Sequence, residues 1–246
     1  MHSGTDSAAA VLRPLTARSA ILSLLLGSHP PSGTGAELVR FGRSVEINES
    51  AVRAALTRMV AAGDLVREDG VYALSDRLLA RQRRQDEALQ VPVGPWDGAW
   101  RVAVVTASGK DRASRLRLRR TMVTAHFAEL REGVWLRPDN LAWRPHDDVA
   151  ADLQTMRARP EQDAHELTEL LFDPGSWATT GRDLLAHAES ARTLQHRLTV
   201  FATIVRHLTH DPLLPSELLP AGWPGAALRE TYAAFRAEVT REWRRW

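Results

Sequence analysis

The residues best placed to do chemistry are Ser50, Arg53, Ala54, Thr57 and Arg58, all within the run ESAVRAALTRMVAAG from Glu49 to Gly63. On a helical wheel Val52, Ala55, Leu56 and Met59 fall in one arc and those five residues lie around the rest. Asn48 can cap such a helix, and Gly63 stands where a helix C-terminus favours glycine. Short side chains let a helix backbone enter a major groove, while Arg reaches guanine O6 and N7 or phosphate oxygens. The chemistry on offer is therefore contact with duplex DNA. A solvated helix face gives the same wheel, so the pattern leaves both open.

Other chemistry finds little support. A nucleophile elbow needs G-x-S-x-G and a phosphate loop needs G-x-x-x-x-G-K-[ST]; the nearest runs are PGSWA from Pro174 and SGKD from Ser108, and neither fits. His207 and His210, three residues apart beside Asp211, are the best metal pair, but cationic residues at a helix end explain them equally. Asp147, Asp148, Glu166 and Glu169 read as surface acids. With no acid, base and oxyanion site assembled, no catalytic residue, cofactor or metal is expected, and the protein is not expected to be an enzyme. Trp135 and Trp223 read as packing residues; Trp143, beside Arg144, can stack on a flat ligand or pack.

The 246 residues allow one large domain or two or three small ones, with 44% apolar and 25% charged residues in a globular balance. There is no Cys, so disulfides, thiolate metal sites and a cysteine nucleophile are excluded, and a reducing cytoplasm fits best. The apolar run from Ala20 to Gly27 is too short to span a membrane, and the first ten residues lack the basic start of a secretory leader. No membrane partner is expected. Net charge is only +2, yet residues 101–145 are rich in Arg while residues 146–246 are acidic. A polyanionic partner is allowed by that balance, not required. Lys110 to Arg120 is the densest basic run, either a phosphate patch or a solvated face opposite Leu116, Leu118 and Met122.

Three blocks must position these residues. The first has a helix from Thr16 ending at Gly27, the breaker run SHPPSGTG, a short helix through Phe41, and the helix from Glu49. Strand-like runs Leu65–Arg67 and Val71–Leu74 follow, joined by Glu68, Asp69 and Gly70, and the whole describes a winged helix-turn-helix. A charged helix from Ser75 leads out, with Arg81, Arg83 and Arg84 free to meet a DNA backbone or to form i,i+4 pairs. In the second block a strand at Ala99–Thr106, a helix over ASRLRLRRTMVTAHFAELR, a strand at Gly133–Arg137 and a strand-like piece at Glu166–Phe172 suggest a small α+β domain. From Gly181 the chain is expected to be helical, with His187, Leu194, Leu198, Phe201, Val205 and Leu208 on one amphipathic helix, then the Pro-rich DPLLPSELLPAGWPG and a last helix through Val239. The expected boundaries are a loose tail at 1–13, a winged helix with connecting helix at 14–93, a central domain at 94–180 and a helical domain at 181–246.

Four segments, TARSAILSLLLGSH, ESAVRAALTRMVAAGDLV, EGVWLRPDN and DPLLPSELLPAGWPG, together resemble the PaaX-type transcriptional repressors. The last is the most specific, with Asp211, Pro212, Leu214, Pro215, Leu218, Leu219, Pro220, Trp223, Pro224 and Gly225 in the family's positions. The resemblance implies an α+β protein: an N-terminal winged helix, a central ferredoxin-like domain related to a small CRISPR-associated nuclease subunit, and a helical C-terminal domain. It implies a homodimer that represses catabolic genes of aromatic degradation and is released by an acyl-CoA such as phenylacetyl-CoA. Carried over, the DNA-reading helix is Glu49 to Ala62, with Arg53, Thr57 and Arg58 at matching positions of the motif; Ser50, Ala54, Arg43 and Arg67 complete the expected DNA contacts. Contacts with a small-molecule effector are expected at Arg120, Trp143 and Arg206. The nuclease relative needs an acid at the end of its first strand; here Val105, Thr106 and Ala107 stand there, so nuclease activity is not expected. The chain departs from the family's basic, Tyr-containing wing in reading VREDGVYAL, keeping Tyr72 and Arg67. It also has Ala202, Thr203 and Ile204, with Arg206 nearby, in place of a His-Glu-Tyr-Arg stretch.

The expectation is a dimeric, ligand-responsive repressor whose two recognition helices meet a palindromic operator in successive major grooves, about 34 Å apart. A scaffold or protein-interaction role for the winged helix, suggested by its acidic wing, is the alternative, and an acyl-CoA-using or metal enzyme is a third.

Overall fold

The structure, a computed structural model, describes residues 15–90, 94–107, 111–145 and 147–243. The chain forms two compact units, one of residues 1–90, 179–211 and 224–246, the other of residues 91–178 and 212–223.

In the first unit, helix α1 (Ala17–Gly27) starts at Thr16, whose hydroxyl and that of Ser19 form a reciprocal capping box. Ala20, Ile21, Leu22, Leu24, Leu25 and Leu26 are all buried, as a helix apolar on nearly every side must be. Strand β1 (Ser32–Thr34) leads into α2 (Gly35–Ser44), capped by Thr34 with Glu37 reaching back. Helix α3 (Glu49–Ala61) follows a short turn, and Asn48 Oδ1 accepts from the Ala51 N–H at 2.8 Å. A Cβ on Gly42 would stand 2.4 Å from Val52 Cγ2, so the close approach of α2 and α3 requires glycine there.

The wing is β2 (Leu65–Glu68) and β3 (Val71–Leu74), with Asp69 and Gly70 both at positive φ in a two-residue turn. The breaker run, to which the sequence assigns no structure, supplies a third strand: β1 pairs antiparallel with β3 in the order β1-β3-β2. Helix α4 (Asp76–Leu89) buries Gln82, whose Nε2 donates to the carbonyls of Leu25, Leu26 and Ser28 at 2.9–3.2 Å. It satisfies the open carbonyl end of α1.

The unit is completed by α8 from Thr179 onward, α9 (Leu194–Leu208) and α10 (Gly225–Trp243), where α8 spans Pro174–Ser190. The single helix expected across His187 to Leu208 is two helices, because Thr193 opens a new N-terminus by accepting from the His196 N–H at 3.2 Å. Phe201 and Phe235 stack at 3.9 Å between α9 and α10, beside a bidentate Arg197–Glu238 pair at 2.6 Å. At the end of α10, Trp243 packs edge-on to Phe41 with ring centroids 6.2 Å apart.

The second unit is a four-stranded antiparallel sheet of β4 (Trp100–Val105), β5 (Ala128–Arg131), β6 (Val134–Pro138) and β7 (Leu153–Ala158). With α5 (Arg112–Thr124) after β4 and the single turn α6 (Asp147–Ala150) before β7, the spatial order β5-β6-β4-β7 is the ferredoxin-like arrangement. Ala103, Met122, Phe127 and Trp135 form one core cluster, and Trp100, Leu136, Leu167 and Leu218 form another. Alternation along β4 and β6 sends these two sets to opposite sides of the sheet.

Two expectations for this region are corrected, and one strand is added. The helix expected through Arg131 ends at Thr124; His126 takes positive φ and the chain turns back as β5, where pairing with β6 overrides helical propensity. The strand-like piece Glu166–Phe172 lies in helix α7 (Ala164–Phe172), opened by Asp163, whose carboxylate accepts from the His165 and Glu166 N–H groups. Strand β7, which the sequence pattern does not announce, pairs along all six residues with β4. Among the described residues no helix is long and apolar enough to cross a membrane.

Candidate nucleic-acid interface

Helix α3 has the two faces its sequence implies. Val52, Ala55, Leu56 and Met59 are no more than 2% exposed, whereas Ser50, Arg53, Ala54, Thr57 and Arg58 all face solvent. Capping, the Gly42 contact and the buried side hold this helix in place without using the side chains of Arg53, Ala54, Thr57 or Arg58.

The charges on that face are not all free. Glu49, in the first turn, receives Arg53 Nε at 2.7 Å and Arg43 Nη2 at 2.6 Å. The Arg53 guanidinium, with Arg43 adding, holds the Glu49 carboxyl below the usual carboxylate range. It is therefore ionised at neutral pH and links two of the expected DNA contacts through one carboxylate. Arg58 has no acid within 4 Å among the described residues, so its guanidinium is the most available cation on the helix. Ser50 Oγ donates to Asn48 Oδ1 at 2.8 Å, and Thr57 Oγ1 donates to the Arg53 carbonyl at 3.1 Å. On the wing, Arg67 lies across the Tyr72 ring, 5.5 Å from its centroid, and the exposed tip carries Glu68 and Asp69.

Sequence reasoning missed the carboxylate beneath this surface. Asp64, 2% exposed, follows α3 and binds Arg18 of α1 at 2.8 Å and Arg77 of α4 on its other oxygen. Its backbone carbonyl also accepts from the Ser75 N–H at 3.0 Å, so one residue fixes α1, the end of α3 and the start of α4. An acid directly after the closing Gly63 was the only available signal. Arg81 on α4 is held below its ordinary value by partial burial and by the neighbouring charges of Arg206, Arg18 and Arg84.

The expected effector contacts are not gathered into one unit. Arg206 is exposed on α9 in the first unit, while Arg120, exposed on α5, and Trp143 belong to the second. Trp143 lies edge-on to Phe127 with centroids 4.7 Å apart, and Arg137 covers that same Phe127 ring at 5.6 Å. Burial pushes Arg137 down to about 10, which leaves it charged at neutral pH, and its Nη1 donates to the Ala125 carbonyl at 2.8 Å.

His210 Nδ1 lies 2.8 Å from the Arg206 carbonyl, and Asp211 binds Arg229 of α10 at 2.7 Å with both side chains largely buried. The first residue of the Pro-rich motif thus anchors the last helix, and its Trp223 stacks on Trp177 at 4.2 Å. Among the described residues no three His, Asp or Glu side chains are grouped to hold a metal. At the end of β4, the Thr106 N–H donates to the Asp152 carbonyl at 2.9 Å.

Comparison with known proteins agrees with this architecture. Residues 16–78 match the PaaX-like protein family, residues 93–163 the PaaX protein central Cas2-like domain, and residues 176–246 the PaaX-like protein C-terminal domain. A curated relative, the transcriptional repressor PaaX of Escherichia coli (strain K12), is 26% identical over 212 residues, covering 74% of this chain and 66% of its own length. The chain thus matches just under two thirds of that relative. A solved structure, the uncharacterized protein Rv0674 from Mycobacterium tuberculosis, is 47% identical with a TM-score of 0.80, over 93% of this chain and 97% of that one. Matched along all three segments, and carrying the winged helix and the ferredoxin-like sheet in that order, the chain belongs to the PaaX-like protein family.

Proposed function

We propose that this protein is a dimeric, ligand-responsive transcriptional repressor of catabolic genes, acting in the cytoplasm without a cofactor and as a regulator, not a catalyst. The observation that carries the reading is the outer face of α3, where Ser50, Arg53, Ala54, Thr57 and Arg58 are exposed above a fully buried side. Ala54 and Ser50 let the helix approach base edges, Arg58 and Arg53 reach bases or phosphates, and Arg43 and Arg67 flank it. The relative bearing the name of a transcriptional repressor supports the same role. Two copies of α3, related by a dimer axis, would meet successive major grooves of a palindromic operator about 34 Å apart. An acyl-CoA or another derivative of an aromatic acid would release the protein by favouring a spacing that no longer fits.

A second reading, a protein-interaction module without specific DNA binding, is favoured by Glu49 neutralising Arg43 and Arg53 and by the acidic wing tip. Titrating the purified protein with duplex from its own upstream region and with unrelated duplex, across several salt concentrations, separates the two. Specific binding that weakens steeply with salt supports the repressor. Equal, weak binding to both duplexes supports the interaction module.

A further inference from the structure

A cleft of about 870 Å³ opens in the second unit between the first half of α5 and the sheet, with Val105, Gly133 and Trp135 on its sheet side. That is a volume suited to a small organic ligand. Its cations are Arg112, Arg115, Arg119 and Arg131, and its acids are Glu129, Glu132 and Asp152. Glu129 binds Arg119, while Arg112, Arg115 and Arg131 have no acid within 4 Å among the described residues. Unpaired guanidinium groups beside a concave, low-dielectric wall attract an anion.

The same cleft has an apolar side. Leu116 is 47% exposed and Leu118 is half-buried beside it, on a helix whose buried contribution to the core is Met122. The indole of Trp135 is 2% exposed, and among the described residues its Nε1 has no hydrogen-bond acceptor. Buried donors are rarely left unpaired, and the exceptions tend to mark sites of function. Arg119 lies across that indole, 5.4 Å from its centroid, while its guanidinium is held by Glu129. A ligand whose apolar body takes the place of this cover lies against the indole, where an acceptor atom that it carries meets the Nε1 donor.

We propose that this cleft binds a small amphipathic anion, with its carboxylate or phosphate on Arg112 and Arg115 and its apolar body against Leu116, Leu118 and the Trp135 indole. Arg112, Arg115, Leu116 and Leu118 come from the run Lys110 to Arg120 that sequence alone leaves divided between phosphate patch and solvated face, while Arg120 itself does not line the cleft. The proposal rests on the repressor reading only for the step by which occupancy alters DNA binding; occupancy itself is measured separately.

The test uses the full chain and 8-anilinonaphthalene-1-sulfonate, an anion with an apolar aromatic body. The wild type is expected to bind it saturably at one site, with energy transfer from tryptophan. The double variant Arg112→Glu/Arg115→Glu should weaken binding at least about tenfold with a thermal midpoint little changed, since both side chains are exposed and, among the described residues, neither has an acid within 4 Å. Trp135→Phe, which keeps a ring and removes the donor, should weaken binding and reduce the energy transfer. Arg58→Glu should leave probe binding unchanged while duplex binding falls. Displacement of the probe by a free aryl carboxylate assigns a carboxylate head group, and displacement only by a phosphorylated acyl thioester assigns a phosphate. Absence of saturable binding, equal binding by the double variant, or displacement by neither compound overturns the proposal. Loss of specific duplex binding with probe binding intact would instead count against the DNA reading alone.

Discussion

Glu49 decides how much of the positive charge on α3 a polyanion meets. Its carboxylate holds Arg53 and Arg43 at 2.7 and 2.6 Å, so two of the expected contacts reach DNA only by exchanging that partner for phosphate. Glu49→Gln should strengthen binding to any duplex and steepen its salt dependence by about one to two phosphate contacts, measured from affinity against salt concentration. The pH dependence has a definite sign. A carboxyl depressed by Arg53 and Arg43 contributes stability above its unfolded value, and that contribution is lost as pH falls through the lower folded value. The pairing therefore persists through mild acid, and operator affinity should show no gain from freed arginines until the pH falls below the usual carboxylate range. Arg58, with no acid within 4 Å among the described residues, carries the plainest prediction: Arg58→Ala should cost about 1–3 kcal/mol if it reads a base, or flatten the salt slope by about one if it meets phosphate. Exposure of Arg53 and Arg58 was legible in the wheel, because burial of Val52, Ala55, Leu56 and Met59 leaves them no other side. The Arg43–Glu49 pair was not, since it crosses the turn between α2 and α3.

Among the elements, α3 is placed by contacts that never touch its outer face, and these can be tested without involving DNA. Gly42→Ala pushes a methyl group to 2.4 Å from Val52 Cγ2 and should destabilise the protein by about 1–3 kcal/mol in chemical denaturation. Replacing both Arg18 and Arg77 with Ala leaves the Asp64 carboxylate buried and unpartnered, at a cost of about 3–5 kcal/mol. Either single replacement should cost well under half of that, because the other guanidinium remains. Helices α1 and α3 and the Asp69-Gly70 hairpin are legible in sequence because cap or turn residues coincide with a clear apolar pattern. Segments whose apolar pattern is ambiguous are not, even where a cap residue stands before them. The run at Glu166–Phe172 has apolar residues that suit either period, and Asp163 as its cap decides for helix. Strand β7 has little alternation to betray it and exists because β4 offers a free edge.

At the scale of the molecule, the chain returns to its beginning. Residues 179–211 and 224–246 form one compact unit with the winged helix, an association that no periodicity announces because its partners are more than 100 residues apart. The Asp211–Arg229 pair and the Phe201–Phe235 stack show how the last helix is fixed within it. The Pro-rich motif was recognisable in sequence for its unusual residue types, whereas the anchoring role of its Asp211 emerged only with Arg229. The Arg-rich α5 was visible as a charge run, but the cleft beside it depends on strands that α5 meets only in three dimensions.

The most direct test of the central claim is the affinity of the intact protein for duplex from its own upstream region, measured with Arg58→Ala alongside at several salt concentrations. The wild type is expected to bind sequence-specifically with a steep salt slope, and the variant to lose either specificity or about one unit of slope. Wild-type binding with no preference over unrelated duplex, unaltered in the variant at every salt concentration, would contradict the assignment of α3 as the DNA-reading helix.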